Sequence, residues 1–133
     1  MGATSLWAVQ QAIYAKLTGD ATLMSLIKGV FDAVPDNQPM PYIVIGEGTE
    51  VPFRTFTSTS YVATITLHIW SSAKGYKEGL VILDRLNTLL DRVSLTVNGF
   101  QHIYCEYEFS NTIQDPDGSR HIPVRYKLEN IKN

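Results

Sequence analysis

The chain has 133 residues, of which 44% are hydrophobic and 18% charged, with a formal net charge of −2. This length fits one domain spanning residues 1–133 and leaves little room for two, and the apolar share supports a packed core rather than disorder. A charge so near balance excludes a general nucleic-acid or membrane-surface binder, which gathers a basic excess on one face.

The opening MGATSL has Leu6 where a myristoylation signal needs Ser or Thr. Thr4 and Ser5 can cap a first helix whose apolar positions Leu6, Val9, Ile13 and Leu17 recur at three- and four-residue steps, with Gly19 ending it. Asp20 can cap a second helix over Ala21–Lys28, with Leu23, Leu26 and Ile27 on one side and Gly29 as its stop. Three prolines make Val34–Pro41 a connector. The β-branched run Tyr42–Gly46 reads as a strand, and EGTEVPFRTFTSTS, Glu47–Ser60, then shows no usable period and reads as a long functional loop. Tyr61–Trp70 alternates cleanly, with Ala63, Ile65, Leu67 and Ile69 on one face and Thr64, Thr66, His68 and Trp70 on the other.

Lys74–Arg92 is the strongest helix, with the stripe Leu80, Leu83, Leu86 and Leu90 opposite the charged pairs Lys77/Glu78, Asp84/Arg85 and Asp91/Arg92. Asn98-Gly99 predicts a tight type I′ hairpin turn. A long strand over Phe100–Ile113 and a last one over Arg120–Asn130 complete the order ααββαβββ. That order predicts an α+β fold, a mainly antiparallel β-sheet with α-helices packed on one face. No stretch approaches the ~20 apolar residues of a membrane helix, and no secretory n-region precedes an apolar run, so no membrane association and a soluble intracellular protein are expected.

The segment QDPDGSRHIPVRY, Gln114–Tyr126, concentrates charge. As a calcium loop it fails: only Asp115 and Asp117 are supplied, proline separates them, and Tyr126 stands where the twelfth-position glutamate belongs. As a type I turn it places Asp, Pro and Gly at their preferred positions. Folded there, opposing residue numbers sum to 233. Phe109 then faces Val124, Tyr107 faces Tyr126 and Cys105 faces Leu128, while Glu106 meets Lys127 and Glu108 meets Arg125 on the other face. The charges are therefore expected to be cross-strand ion pairs.

The remaining candidates for chemistry are weak. His102 and Cys105 have half a zinc spacing, but an odd separation on a strand predicts opposite faces, and His68 and His121 complete no ligand pattern, so no metal is expected. Cys105, the only cysteine, can form no intrachain disulfide and is expected to be a small buried hydrophobe. Glu106 and Glu108 share a strand face at roughly glycosidase spacing, which keeps a small hydrolase or nucleotide-binding enzyme as the alternative reading. No nucleophile elbow, P-loop or dinucleotide fingerprint accompanies them, and no catalytic residue or cofactor is expected. Val51, Phe53, Arg54 and Phe56 in the long segment, with Trp70 and Tyr104 on the outer sheet face, are candidate protein-contact residues.

The order VQQAIYAKLTGDATLMSLI, GVFDAVPDNQPMPYIVIGE, TITLHIWSSAKGYKEGLVILDRLNTLL and DPDGSRHIPVRYKLE resembles the tail-completion (tail-to-head joining) family of long-tailed bacteriophages, over Val9–Glu129. The resemblance implies a non-enzymatic virion protein at the head–tail interface, assembled in the host cytoplasm. It would cap the tail tube as a homo-oligomeric ring, expected to hold six copies. Its partners would be further copies of itself, the tail-tube protein and the head-connector protein, with DNA passing through and no specific nucleic-acid binding.

Overall fold

The computed structural model describes residues 4–133, so the Gly2 position of the excluded myristoylation signal lies outside the described residues. Helices α1 (Leu6–Thr18) and α2 (Ala21–Leu26) precede strands β1 (Val30–Phe31), β2 (Tyr42–Arg54) and β3 (Thr59–Ser71). Helix α3 (Lys77–Leu90) leads to β4 (Phe100–Ser110), β5 (Ile113–Gln114) and β6 (Arg120–Lys132). The sheet order is β1-β2-β3-β6-β4, with β5 also on β6. All pairings are antiparallel except β1 with β2. The fold is α+β, with the three helices packed against one face of the sheet. No described helix is long and apolar enough to cross a membrane.

Strand β6 is the backbone of the sheet. It pairs with β3 without a break from Ser60↔Ile131 to Ser71↔Arg120 and carries β4 and β5 on its other edge. Its alternation is strict: Ile122, Val124, Tyr126 and Leu128 are buried against the helices. From β3, the residues Ala63, Ile65, Leu67 and Ile69 join them, as their period-two spacing predicts. Val9, Ile13 and Leu17 of α1 and Leu83, Leu86 and Leu90 of α3 close the core from above. Leu80 stays 40% exposed, while Ile82 and Leu89 are buried in its place. At Gly79 a Cβ would stand 2.7 Å from Ile122 Cδ1, so this glycine lets α3 settle directly onto β6.

Several boundaries depart from the sequence expectations for local reasons. Ser5 sits at the α1 N-cap position without making a side-chain cap. Helix α2 stops at Leu26, because Ile27 turns extended to bury its side chain, and Gly29 lies beyond the end. Val93–Val97 forms no strand. It is irregular, with Leu95 and Val97 buried in the core. The Asn98-Gly99 turn is accordingly no type I′ hairpin: only Gly99 has positive φ, and Phe100 N–H bonds Val97 O at 3.0 Å. The turn after β5 does match expectation. Gly118 N–H reaches Asp115 O at 2.9 Å, and Gly118 adopts φ +90°.

Asp20 joins two helices. Its carboxylate accepts the Leu23 N–H at 2.8 Å, capping α2, and both Nε (2.9 Å) and Nη2 (2.7 Å) of Arg85 on α3. The Arg85 guanidinium first, and the capped amide second, hold the Asp20 carboxyl down at about 2. A depressed carboxyl contributes stability that is fully present above its unfolded value of 3.8 and fades as pH falls toward 2. Asp20→Asn should therefore lower stability at neutral pH and flatten the loss between about pH 4 and pH 2, read by urea denaturation across that range.

Candidate interaction surface

The helix-free face of the sheet and the β2–β3 hairpin carry the side chains expected to make contacts, among them the exposed Val51, Phe53 and Phe56. Glu47–Ser60 is not a loop: β2 continues to Arg54, pairs with β3 down to Arg54↔Thr59, and turns only over residues 55–58. Thr55 holds that tip, its N–H bonding Ser58 O at 2.9 Å and its Oγ1 accepting the Ser58 N–H at 3.1 Å. A β-bulge hides the strand in the sequence. Between Ile45↔Leu67 and Gly48↔Ile65, Gly46 and Glu47 stand opposite the single residue Thr66. Alternation therefore changes phase. Tyr42 and Val44 face outward before the bulge, and Thr49, Val51 and Phe53 after it, opposite Thr64, Val62 and Ser60.

Two glutamates pin this arm, one on each face. On the helix side, Glu50 accepts both the N–H (2.7 Å) and the hydroxyl of Ser5, so the α1 N-terminus takes its acceptor from a strand 45 residues away. On the outer side, Glu47 Oε1 lies 2.8 Å from His68 Nε2, and that hydrogen bond holds the Glu47 carboxyl below its usual range. Beyond these pins the arm is bare. Val51 is 64% and Phe53 61% exposed, Phe56 at the tip is fully exposed, and Arg54 is exposed.

The other expected contact residues lie on the same side of the sheet. Trp70 is half-buried and stacks on His121 at 3.9 Å with the rings 9° apart. Tyr104 pairs with Glu129 on β6, and its hydroxyl is pushed above its ordinary value by burial first and by Glu129 next. Sequence reading missed the exposed Trp7 and Tyr14 of α1, which line a 420 Å³ groove with Asp32 and Ile45; their seven-residue spacing was the available signal.

Two further bulges, at Ile103 and Glu108, correct the expected β4–β6 register. The sum of 233 holds from Tyr104↔Glu129 to Tyr107↔Tyr126, and then Phe109 opposes Arg125 rather than Val124. Glu108, though set in the bulge, still takes the Arg125 Nε at 2.6 Å, and that guanidinium lies 4.6 Å over the Phe109 ring. Glu106 and Lys127 oppose each other in register, yet the ion pairs found among the described residues do not include them. Both glutamates are exposed on the strand.

The bulge at Ile103 also puts His102 on the helix side together with Cys105, against the odd-spacing expectation. His102 Nδ1 bonds Asn130 Oδ1 at 2.8 Å, and burial pushes the Cys105 thiol up to about 12. No cluster of three metal-ligating side chains occurs among the described residues. The free edge of β4 is partly closed as well: Asp91 Oδ1 accepts the Tyr107 N–H at 2.8 Å, and Arg92 N–H donates to Cys105 O at 2.7 Å.

Glu50→Ala should cost about 1–2 kcal/mol, because the α1 N-terminus and the arm lose one shared acceptor; the urea midpoint measures it. Gly46→Ala should cost about 1–3 kcal/mol by overpacking, since its Cβ would fall 2.6 Å from His68 Cδ2 and 3.0 Å from Thr66 O. A change in the His68 ring signals in NMR spectra should accompany it.

Comparison with known proteins adds the family. Residues 11–128 match the family model described as tail completion protein gp17. The tail completion protein gp17 of Bacillus phage SPP1 is 29% identical over 126 residues, covering 92% of this chain and 93% of that protein. Its solved structure superposes with a TM-score of 0.62 at 23% identity, covering 96% of this chain and 95% of that one. A chain from the virion of a native gene transfer agent particle superposes with a TM-score of 0.88 at 18% identity, covering 99% and 100% of the two chains. The chain therefore belongs to the tail completion protein gp17 family, a structural family of phage virions and not an enzyme family.

Proposed function

We propose that this protein caps the finished tail tube as a homo-oligomeric ring of six copies and presents the tail side of the joint to the head connector. The observation that carries this reading is the β2–β3 arm. It projects Val51, Phe53 and Phe56 into solvent while two glutamates fix its base. Large apolar side chains grouped on a pinned strand are stabilised once a partner covers them. The edge of β2 supports the same reading. Strand β1 covers β2 only at Ile43 and Val44, so its backbone beyond Ile45 is open to another strand.

The contacts named for this role are Val51, Phe53, Arg54 and Phe56 on the arm, with Trp70 and Tyr104 on the outer face. The particle chain that shares this fold belongs to an assembled virion, which agrees with a structural place in a phage tail. Tail-tube and head-connector proteins are the heterologous partners, and the ring is located at the head–tail interface after assembly in the host cytoplasm. With a net charge of −2, such a ring offers DNA no general basic attraction as it passes.

Electron microscopy of the purified protein and of tails carrying it tests the ring. Phe53→Ala combined with Phe56→Ala should abolish ring formation and co-purification with tail-tube and connector proteins. Stability should change by no more than about 0.5 kcal/mol, because both side chains are exposed. An unaffected complex would remove the arm from the interface. The absence of rings both in solution and on tails would overturn the assembly itself.

A further inference from the structure

The outer face carries a chain of titratable groups of which the assembly reading uses only the Glu47–His68 pin. Glu47 Oε1 lies 2.8 Å from His68 Nε2, His68 Nδ1 lies 2.7 Å from His121 Nε2, and His121 stacks on Trp70 at 3.9 Å. The groups come from three strands: Glu47 from β2, His68 and Trp70 from β3, and His121 from β6. Asp115, at the turn before β6, is the other acid whose field reaches His121. The cations farther along this face of β6 are Arg125, which is engaged with Glu108, and Lys127, which stands opposite Glu106.

We infer that Glu47, His68 and His121 form a pH-sensitive clasp across β2, β3 and β6 that tolerates one added proton and opens on the second. The proton count follows from the geometry. With both imidazoles neutral, His68 Nε2–H donates to the Glu47 carboxylate and His121 Nε2–H donates to His68 Nδ1. His121 Nδ1 then carries no proton. One added proton gives a single imidazolium, shared through the same His68–His121 hydrogen bond and balanced by the Glu47 charge. A second added proton puts N–H groups on both facing nitrogens. Two donors cannot stay 2.7 Å apart, so the rings must separate and the His121–Trp70 stack must shift.

The electrostatics have the matching sign. Burial first, and the neighbouring His68 second, press His121 below the ordinary histidine value of 6.5. A histidine depressed in the folded state contributes stability above its unfolded value that is lost as pH falls through the folded one. The clasp therefore holds at neutral pH and opens on acidification. Glu47, itself held below 4.5, remains a carboxylate through that change.

The test uses the full chain as Trp7→Phe, which leaves Trp70 as the only tryptophan, since the sequence has two. Histidine ring signals and Trp70 emission are followed from pH 8 downward. The expected result is two separated proton uptakes by His68 and His121, with the second below the ordinary range of about 6.5. Trp70 emission should shift with the second uptake only. His121→Gln in the same background should lose the second uptake and the emission shift. Independent titration of both histidines in one step at the ordinary value, or Trp70 emission that never responds, would overturn the clasp. These readouts need no ring, so they stand or fall apart from the assembly reading.

Discussion

One extra residue in β2 organises the surface of this protein. Because Gly46 and Glu47 share the place opposite Thr66, the strand changes phase midway along its length. The first half sends Ile43 and Ile45 into the core, and the second half sends Val51 and Phe53 outward. The same shift aims Glu47 at His68 and Glu50 at Ser5 on opposite faces. Without the bulge, continued alternation would turn Val51 and Phe53 toward the helix side and point Glu50 away from α1. Gly46 is required where it stands, since His68 and Thr66 O leave no room for a Cβ.

Beneath that surface, β6 gives the arm a rigid footing. Twelve consecutive partners on β3, together with β4 and β5 on the other edge, hold it along both sides. Its buried Tyr126 sends its hydroxyl 2.5 Å to Asn87 on α3, so even its polar tip is tied to the helix layer. The helices are fastened at two further points, Asp20 to Arg85 and Ser5 to Glu50. These links join segments 65 and 45 residues apart, so the arm is part of the same cooperative unit as the core.

The sheet edges differ in a way that bears on assembly. Midway along β4, Asp91 and Arg92 occupy the outward backbone groups of Tyr107 and Cys105, and two bulges distort the strand on either side. Such an edge resists pairing with a second strand. The β2 edge beyond Ile45 has no comparable cover from β1. This asymmetry leaves β2, rather than β4, as the edge able to accept another strand.

The sequence by itself determined the layers: period-two burial on β3 and β6, the helical stripes of α1 and α3, and the Asp115–Gly118 turn all follow from local spacing. Side-chain period alone told which face of β3 and β6 would be buried. The family was also legible there, because the order of segments carries it. What only the tertiary structure decided were the bulges at Glu47, Ile103 and Glu108, the charge partners other than Glu108 with Arg125, and the extent of the arm. A bulge inserts a residue without any characteristic side chain, so alternation reads as a loop at Glu47–Ser60 and in the wrong register at Phe109. The Glu50–Ser5 and Glu47–His68–His121 contacts join residues 21 to 53 positions apart, and no local pattern specifies a pairing that the packing of β3 between β2 and β6 creates.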